Sequence, residues 1–117
     1  MKSRRIHGTD IDVSPICLGT MTFENPVDKD QAVRLTHLAL DLGINFIDTA
    51  NIYERYDRVI GSAGGVSEQF LGEALKGKRD RAVVTTKAGC FVGEGDENGG
   101  LNRQHMMREL ERSLKRL

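Results

Sequence analysis

"GINFIDTANIY", Gly43 to Tyr53, begins as a strand and ends as something else. Ile44 to Ile47 is a short apolar run behind a glycine, the pattern of a buried strand. Asp48 closes that run, and Tyr53 stands in the loop beyond it. A charge at the end of a buried strand needs a partner. What flanks the segment therefore decides what it is.

Upstream, Asp28 and Gln31 have the spacing of a capping box. Ala32, Leu35, Leu38, Ala39 and Leu42 then recur at helical period, which predicts a helix stopped by Gly43. Farther upstream, "VSPICLGTMTF" (Val13 to Phe23) holds a short strand, Ile16 to Leu18, that runs into Gly19 and Thr20. The "IHGTDIDV" stretch before it has turn residues between β-branched ones and predicts a small hairpin.

Downstream, the glycine-rich "GSAGG" (Gly61 to Gly65) leads to a second helix. Ser67 is its predicted N-cap, and Phe70, Leu71, Ala74 and Leu75 form its apolar stripe. "RAVVTTKAG" (Arg81 to Gly89), rich in β-branched residues, predicts a third strand. After the polar "CFVGEGDENGG", Asn102 caps a third helix whose apolar face carries Met106, Met107, Leu110, Leu114 and Leu117.

Strands alternating with helices argue for parallel βα units joined by right-handed crossovers. Two architectures compete, a dinucleotide-binding sheet and part of a (β/α)8 barrel. The first strand lacks a G-x-G-x-x-G turn, and "GSAGG" follows the second strand with the wrong spacing. The expected fold is therefore α/β: about three βα units plus an N-terminal hairpin, the N-terminal portion of a (β/α)8 TIM barrel, as one incomplete domain over residues 1–117.

Composition narrows the function. Seventeen basic residues balance seventeen acidic ones, so no net field attracts nucleic acid or an anionic membrane. No apolar stretch approaches the roughly 20 residues of a membrane span, and "MKSRRIHGTD" has no apolar segment behind its charges. Cys17 and Cys90 lie outside any C-x-x-C motif and read as unpaired, small buried hydrophobes of a cytoplasmic protein. His7, His37 and His105 are too scattered to propose a metal site.

In a parallel βα barrel the active site gathers at the C-terminal ends of the strands. Asp48 and Lys87 close the second and third strands, and strand parity places them on corresponding faces: Ile44, Phe46 and Asp48 share one face of the second strand, and Val83, Thr85 and Lys87 the same face of the third. Adjacent strands lie about 4.8 Å apart, so the two side chains are predicted to meet, with Tyr53 above them. A phenol titrates near pH 10 on its own, and a neighbouring ammonium favours its ionised form. Asp48 would keep Lys87 charged and oriented. Tyr53 would then protonate a carbonyl oxygen as hydride reaches the carbon.

Taken singly, each residue has a plainer reading: Asp48 a turn former, Lys87 a solvated strand end, Tyr53 a loop aromatic. Tyr56 is a rival phenol without a partner, and "ERYDR" reads as a solvated loop. Glu68 reads as a first-turn acid that favours the helix dipole, and Met106 and Met107 as core filler. Joint placement of Asp48 and Lys87 favours chemistry.

"LGTMTF", "GINFIDTANIY", "SEQFLGEALKGKRDRAVVTTKAG" and "LNRQHMMRELERSLKRL" resemble, in order and spacing, the N-terminal part of aldo-keto reductases. The branch is similar to the reductases related to potassium-channel β subunits. The resemblance implies a (β/α)8 barrel that uses NADPH to reduce aldehydes and ketones. It implies Asp48, Tyr53 and Lys87 as catalytic residues, and Gly19, Thr20, Met21 and Asp48 as the cofactor-binding ones. A fourth family residue, a histidine ending the fourth strand, has no counterpart among His7, His37 and His105. Glu24 stands where the family often has glycine. With most cofactor contacts absent, the chain is expected to be inactive alone. The alternatives are a fragment completed by another chain through its open sheet edges, or by self-association, and a non-catalytic interaction module.

Overall fold

The computed structural model describes residues 2–55, 57–59 and 61–117. An N-terminal hairpin pairs β1 (Arg4–Arg5) with β2 (Asp12–Val13), antiparallel, as "IHGTDIDV" predicts. Three parallel strands follow in the order β3 (Cys17–Gly19), β4 (Phe46–Asp48) and β5 (Val83–Thr85). Their register aligns Gly19, Asp48 and Thr85 across the sheet. Helices α1 (Lys29–Asp41) and α2 (Val66–Ala74) fill the crossovers, and α3 (Arg103–Arg116) follows β5.

Each strand begins later than the apolar runs suggest, for a local reason. Ile44 belongs to the end of α1: its N–H donates to Ala39 O at 2.8 Å while that of Gly43 donates to Leu40 O at 3.1 Å, a Schellman cap. The strand starts only at Phe46. Likewise a 3-10 turn at Arg79–Arg81 delays β5 to Val83. At the other end pairing outlasts the strands, because Asn51 N–H donates to Lys87 O at 3.0 Å.

The helices cover one face of the sheet. Ile47 points into them and packs with Leu40, Leu71, Leu75 and Ala82, the centre of the core. Phe46 and Asp48 point to the other face. The result is a slab of 44 × 35 × 22 Å. No helix among the described residues is long and apolar enough to cross a membrane.

Three predicted helix details are corrected. The capping box is present on α1, with Gln31 N–H donating to Asp28 Oδ1 at 2.8 Å and Asp28 N–H to Gln31 Oε1 at 3.1 Å. Its predicted stripe, however, is split. Ala32 and Ala39 are buried, together with Thr36 and Leu40, whereas Leu35, Leu38 and Leu42 are exposed. The helix α2 packs against only one flank of α1. On the other flank Leu35 and Leu38 line an open apolar groove with Pro26 and Val27.

The N-cap of α2 is Gly65, at φ 86°, and not Ser67. Ser67 lies within the first turn, where its N–H donates to Tyr53 O and its hydroxyl to Thr20 O, both at 2.8 Å. A neighbouring glycine is equally constrained: a Cβ on Gly64, at φ 66°, would run into the Asn51 carbonyl.

Helix α3 departs most from expectation. Asn102 caps it, accepting from His105 N–H at 2.9 Å. Its buried stripe is His105, Glu109 and Ser113, while Met107, Leu110 and Leu114 are exposed. With Met106, Met107 and Leu110 lining an open groove beside Lys87, the two methionines are not core filler. The polar face meets α2 and the β4–α2 loop because an ion pair, Arg116–Glu68, and a hydrogen bond from Asn51 to Glu109 hold it there. Cys17 and Cys90 are free thiols, and both are exposed, not buried.

Candidate active site

The C-terminal ends of β4 and β5 bring the predicted trio together. Asp48 is the last residue of β4. Its Oδ1 accepts from Thr85 Oγ1 at 2.9 Å and its Oδ2 from Lys87 Nζ at 2.6 Å. Lys87 also donates to Thr49 O at 2.9 Å and to the Tyr53 phenol oxygen at 3.3 Å. Its ammonium stands 4.9 Å from the centroid of the Tyr53 ring, within range of a cation–π contact.

Burial alone would pull the Lys87 ammonium below the usual lysine range. Its hydrogen bonds to Asp48 and Tyr53 outweigh burial and hold it above that range. Lys87 is therefore a firmly protonated cation placed between an acid and a phenol.

The turn that presents Tyr53 is built by the backbone. Tyr53 N–H donates to Ala50 O at 3.1 Å, and the first turn of α2 takes Tyr53 O through Ser67. Below the turn, Asn51 is buried, and its Nδ2 donates to Glu109 Oε2 at 3.2 Å.

At the end of β3, Gly19 lies in register with Asp48, and a Cβ there would meet open space. Met21 is 46% exposed beside it. Thr20 is different. It is wholly buried, its N–H donates to Asp48 O at 3.0 Å, and its hydroxyl lacks a partner among the described residues. Gly19 and Met21 thus leave open space at the strand ends, and Thr20 acts beneath them as a strut.

Two plainer readings change. Glu68 does lie in the first turn of α2, but it is more than a dipole partner: it is fully buried, accepting from Thr86 Oγ1 at 2.6 Å and Arg116 Nη1 at 2.7 Å. "ERYDR" is solvated only in part. Arg55 and Asp57 pair at the surface at 2.8 Å, but Glu54 accepts from Gly64 N–H at 3.0 Å and Arg58 donates to Phe91 O at 2.9 Å. Tyr56 lies outside the described residues.

Sequence reasoning gave Thr85, Asn51, Glu68 and Glu109 no part in the site. Thr85 was within reach, since it shares a strand face with Lys87 opposite Asp48. For Glu68 no local signal exists, because its cation, Arg116, lies 48 residues away on α3. Glu109 and Arg112 do carry one, an i,i+3 spacing on a single helix, but nothing local points from Glu109 to Asn51.

Comparison with known proteins gives the setting. The profile of the "Aldo/keto reductase family" matches residues 15–117. The "Uncharacterized oxidoreductase YrpG" of Bacillus subtilis is 38% identical over 116 residues, covering 93% of this chain and 34% of that protein. A rice protein named "Probable voltage-gated potassium channel subunit beta" is 32% identical over 121 residues, covering all of this chain and 34% of that protein. The chain spans about a third of the length of these curated relatives. Among solved structures, the holo form of an aldo-keto reductase from Bacillus halodurans superimposes with a TM-score of 0.81 at 33% identity. That match covers 100% of this chain and 36% of the other. The chain belongs to the aldo/keto reductase family, and its three βα units form the N-terminal portion of a (β/α)8 barrel.

Proposed function

We propose that this chain carries the proton-donating half of an NADPH-dependent reductase of aldehydes and ketones. The observation that supports it is Lys87, which donates to both Asp48 and the Tyr53 oxygen. NADPH, held against Gly19 and Met21, would supply hydride to the carbonyl carbon.

Tyr53 supplies the proton. Its oxygen accepts from Lys87, which leaves its own O–H free to donate to a carbonyl oxygen. As charge builds on that carbonyl oxygen, the phenol proton passes to it. Lys87 then stabilises the phenolate left behind, and Asp48, fixed by Thr85, keeps Lys87 aimed. A positioned general acid of this kind contributes about 10²–10⁴ in rate.

The site is open on the β5 side, where the groove beyond Lys87 is lined by Leu101, Met106, Met107 and Leu110. These 117 residues alone are therefore not expected to turn over. A second reading, in which another chain supplies the remaining strands, draws support from the apolar flanks of α1 and α3. Its setting would be a cytoplasm in which the two thiols stay reduced.

The test is to mix or co-express the chain with the remaining two thirds of a homologous barrel and follow oxidation of NADPH by a simple aldehyde. Turnover is expected only from the pair. Activity that survives Tyr53→Phe, or that the chain shows alone, sinks the reading.

A further inference from the structure

Two carboxylates are buried in the seam between α2 and α3, away from the open face. Glu68 and Glu109 both have no exposed side-chain surface. Each is neutralised by an arginine of α3, Arg116 at 2.7 Å and Arg112 at 2.8 Å. Each also spends one oxygen on a residue next to the candidate site. Glu68 Oε1 accepts from Thr86, the residue before Lys87. Glu109 Oε2 accepts from Asn51, which lies between Asp48 and Tyr53 and whose N–H donates to the Lys87 carbonyl.

Buried ion pairs rarely add stability, because desolvating both charges offsets most of their attraction. Apolar residues would fill the seam as well. A carboxylate offers what leucine does not, a directed acceptor at a fixed point.

We propose that Glu68 and Glu109 are positioning residues: through Thr86 and Asn51 they set the distance and angle between the Lys87 ammonium and the Tyr53 phenol. The inference rests on the reading of Tyr53 as proton donor, but it concerns geometry and is tested without turnover. Glu68 fixes the Lys87 side of the pair. Glu109 fixes the Tyr53 side by holding the turn from below. One helix, α3, thereby supports both partners through cations that touch neither.

The experiment uses the 117-residue chain itself. With its ammonium over the Tyr53 ring, Lys87 is expected to show side-chain proton resonances shifted upfield, and Tyr53→Leu defines the unshifted reference. Glu109→Leu removes the acceptor at equal bulk, whereas Glu109→Gln keeps a carbonyl for Asn51. Glu109→Leu is expected to lose most of the upfield shift and Glu109→Gln to retain it, with Glu68→Leu and Glu68→Gln behaving alike. Asn51→Ala, which leaves both ion pairs intact, guards against a leucine variant that fails to fold, and it too should lose the shift.

An unchanged Lys87 signal in Asn51→Ala, or an equal signal in folded leucine and glutamine variants, overturns the proposal and leaves the seam a packing feature. Should the wild-type signature respond as expected while a completed barrel reduces aldehydes without Tyr53, the functional reading falls and the positioning stands.

Discussion

Lys87 Nζ lies 2.6 Å from Asp48 Oδ2, the shorter of its two side-chain contacts at the site, and the pair joins the ends of adjacent parallel strands. The contact has a pH signature. Lys87 titrates above its ordinary range in the folded chain. Stability from this shift is complete below the unfolded lysine pKa, about 10.4, and is lost as pH rises through the folded value. Half of the Lys87 side chain is solvent-exposed, so the effect is screened. Urea titrations of wild type and Asp48→Asn should differ by a constant amount near neutrality, and the gap should shrink as pH rises into the alkaline range. A gap that stays constant through the alkaline range would contradict this origin.

Glu24 stands at φ 81°, the left-handed region that favours glycine, and its N–H donates to Val27 O at 2.7 Å. A residue with a Cβ costs about 1–2 kcal/mol in that conformation. Glu24→Gly relieves it but loosens the unfolded chain, so a net gain of up to about 1 kcal/mol is expected. Glu24→Ala should gain nothing. Thermal unfolding of both variants checks the difference.

Gly72 sits where α2 crosses the end of α3, and a Cβ there would collide with the Arg116 carbonyl. Backbone cannot swing aside as a side chain can. Gly72→Ala should therefore destabilise the chain by about 1–3 kcal/mol despite the better helix propensity of alanine. Equal or greater stability in a denaturant titration would contradict the close crossing.

Removing Arg116 strands a buried charge. Arg116→Met leaves Glu68 without its cation and should cost about 3–5 kcal/mol, whereas the double variant Glu68→Leu/Arg116→Met should recover most of that loss. A double-mutant cycle by urea unfolding measures the coupling. Additive single effects would mean that the pair, at 2.7 Å, does not act as a unit.

The sheet and the trio were legible because parity and alternation are local rules. Phe46 and Asp48 on one face with Ile47 on the other, matched by Val83 and Thr85, follow from side-chain period alone. The face of α3 was not. Its apolar stripe through Met106, Leu110 and Leu114 promises burial, but periodicity does not say which neighbour does the burying. Here His105, Glu109 and Ser113 meet the elements that are present, and the apolar flank faces the groove beside β5. Glu68 misled for a related reason: an acid in a first helical turn has a satisfying local account, and its partner is supplied by tertiary structure alone. Ser67 likewise suits an N-cap, until the Thr20 carbonyl claims its hydroxyl.

Valence limits what can replace Lys87. An ammonium is a tripod with three protons, and here each foot is planted: on Asp48 Oδ2, on Thr49 O and on the Tyr53 oxygen. Guanidinium is a flat fork, and its donors cannot converge on three acceptors arranged around a single point. Arginine at this position would preserve the charge and forfeit the junction. Coordination number, more than electrostatic sign, is what the site demands of residue 87.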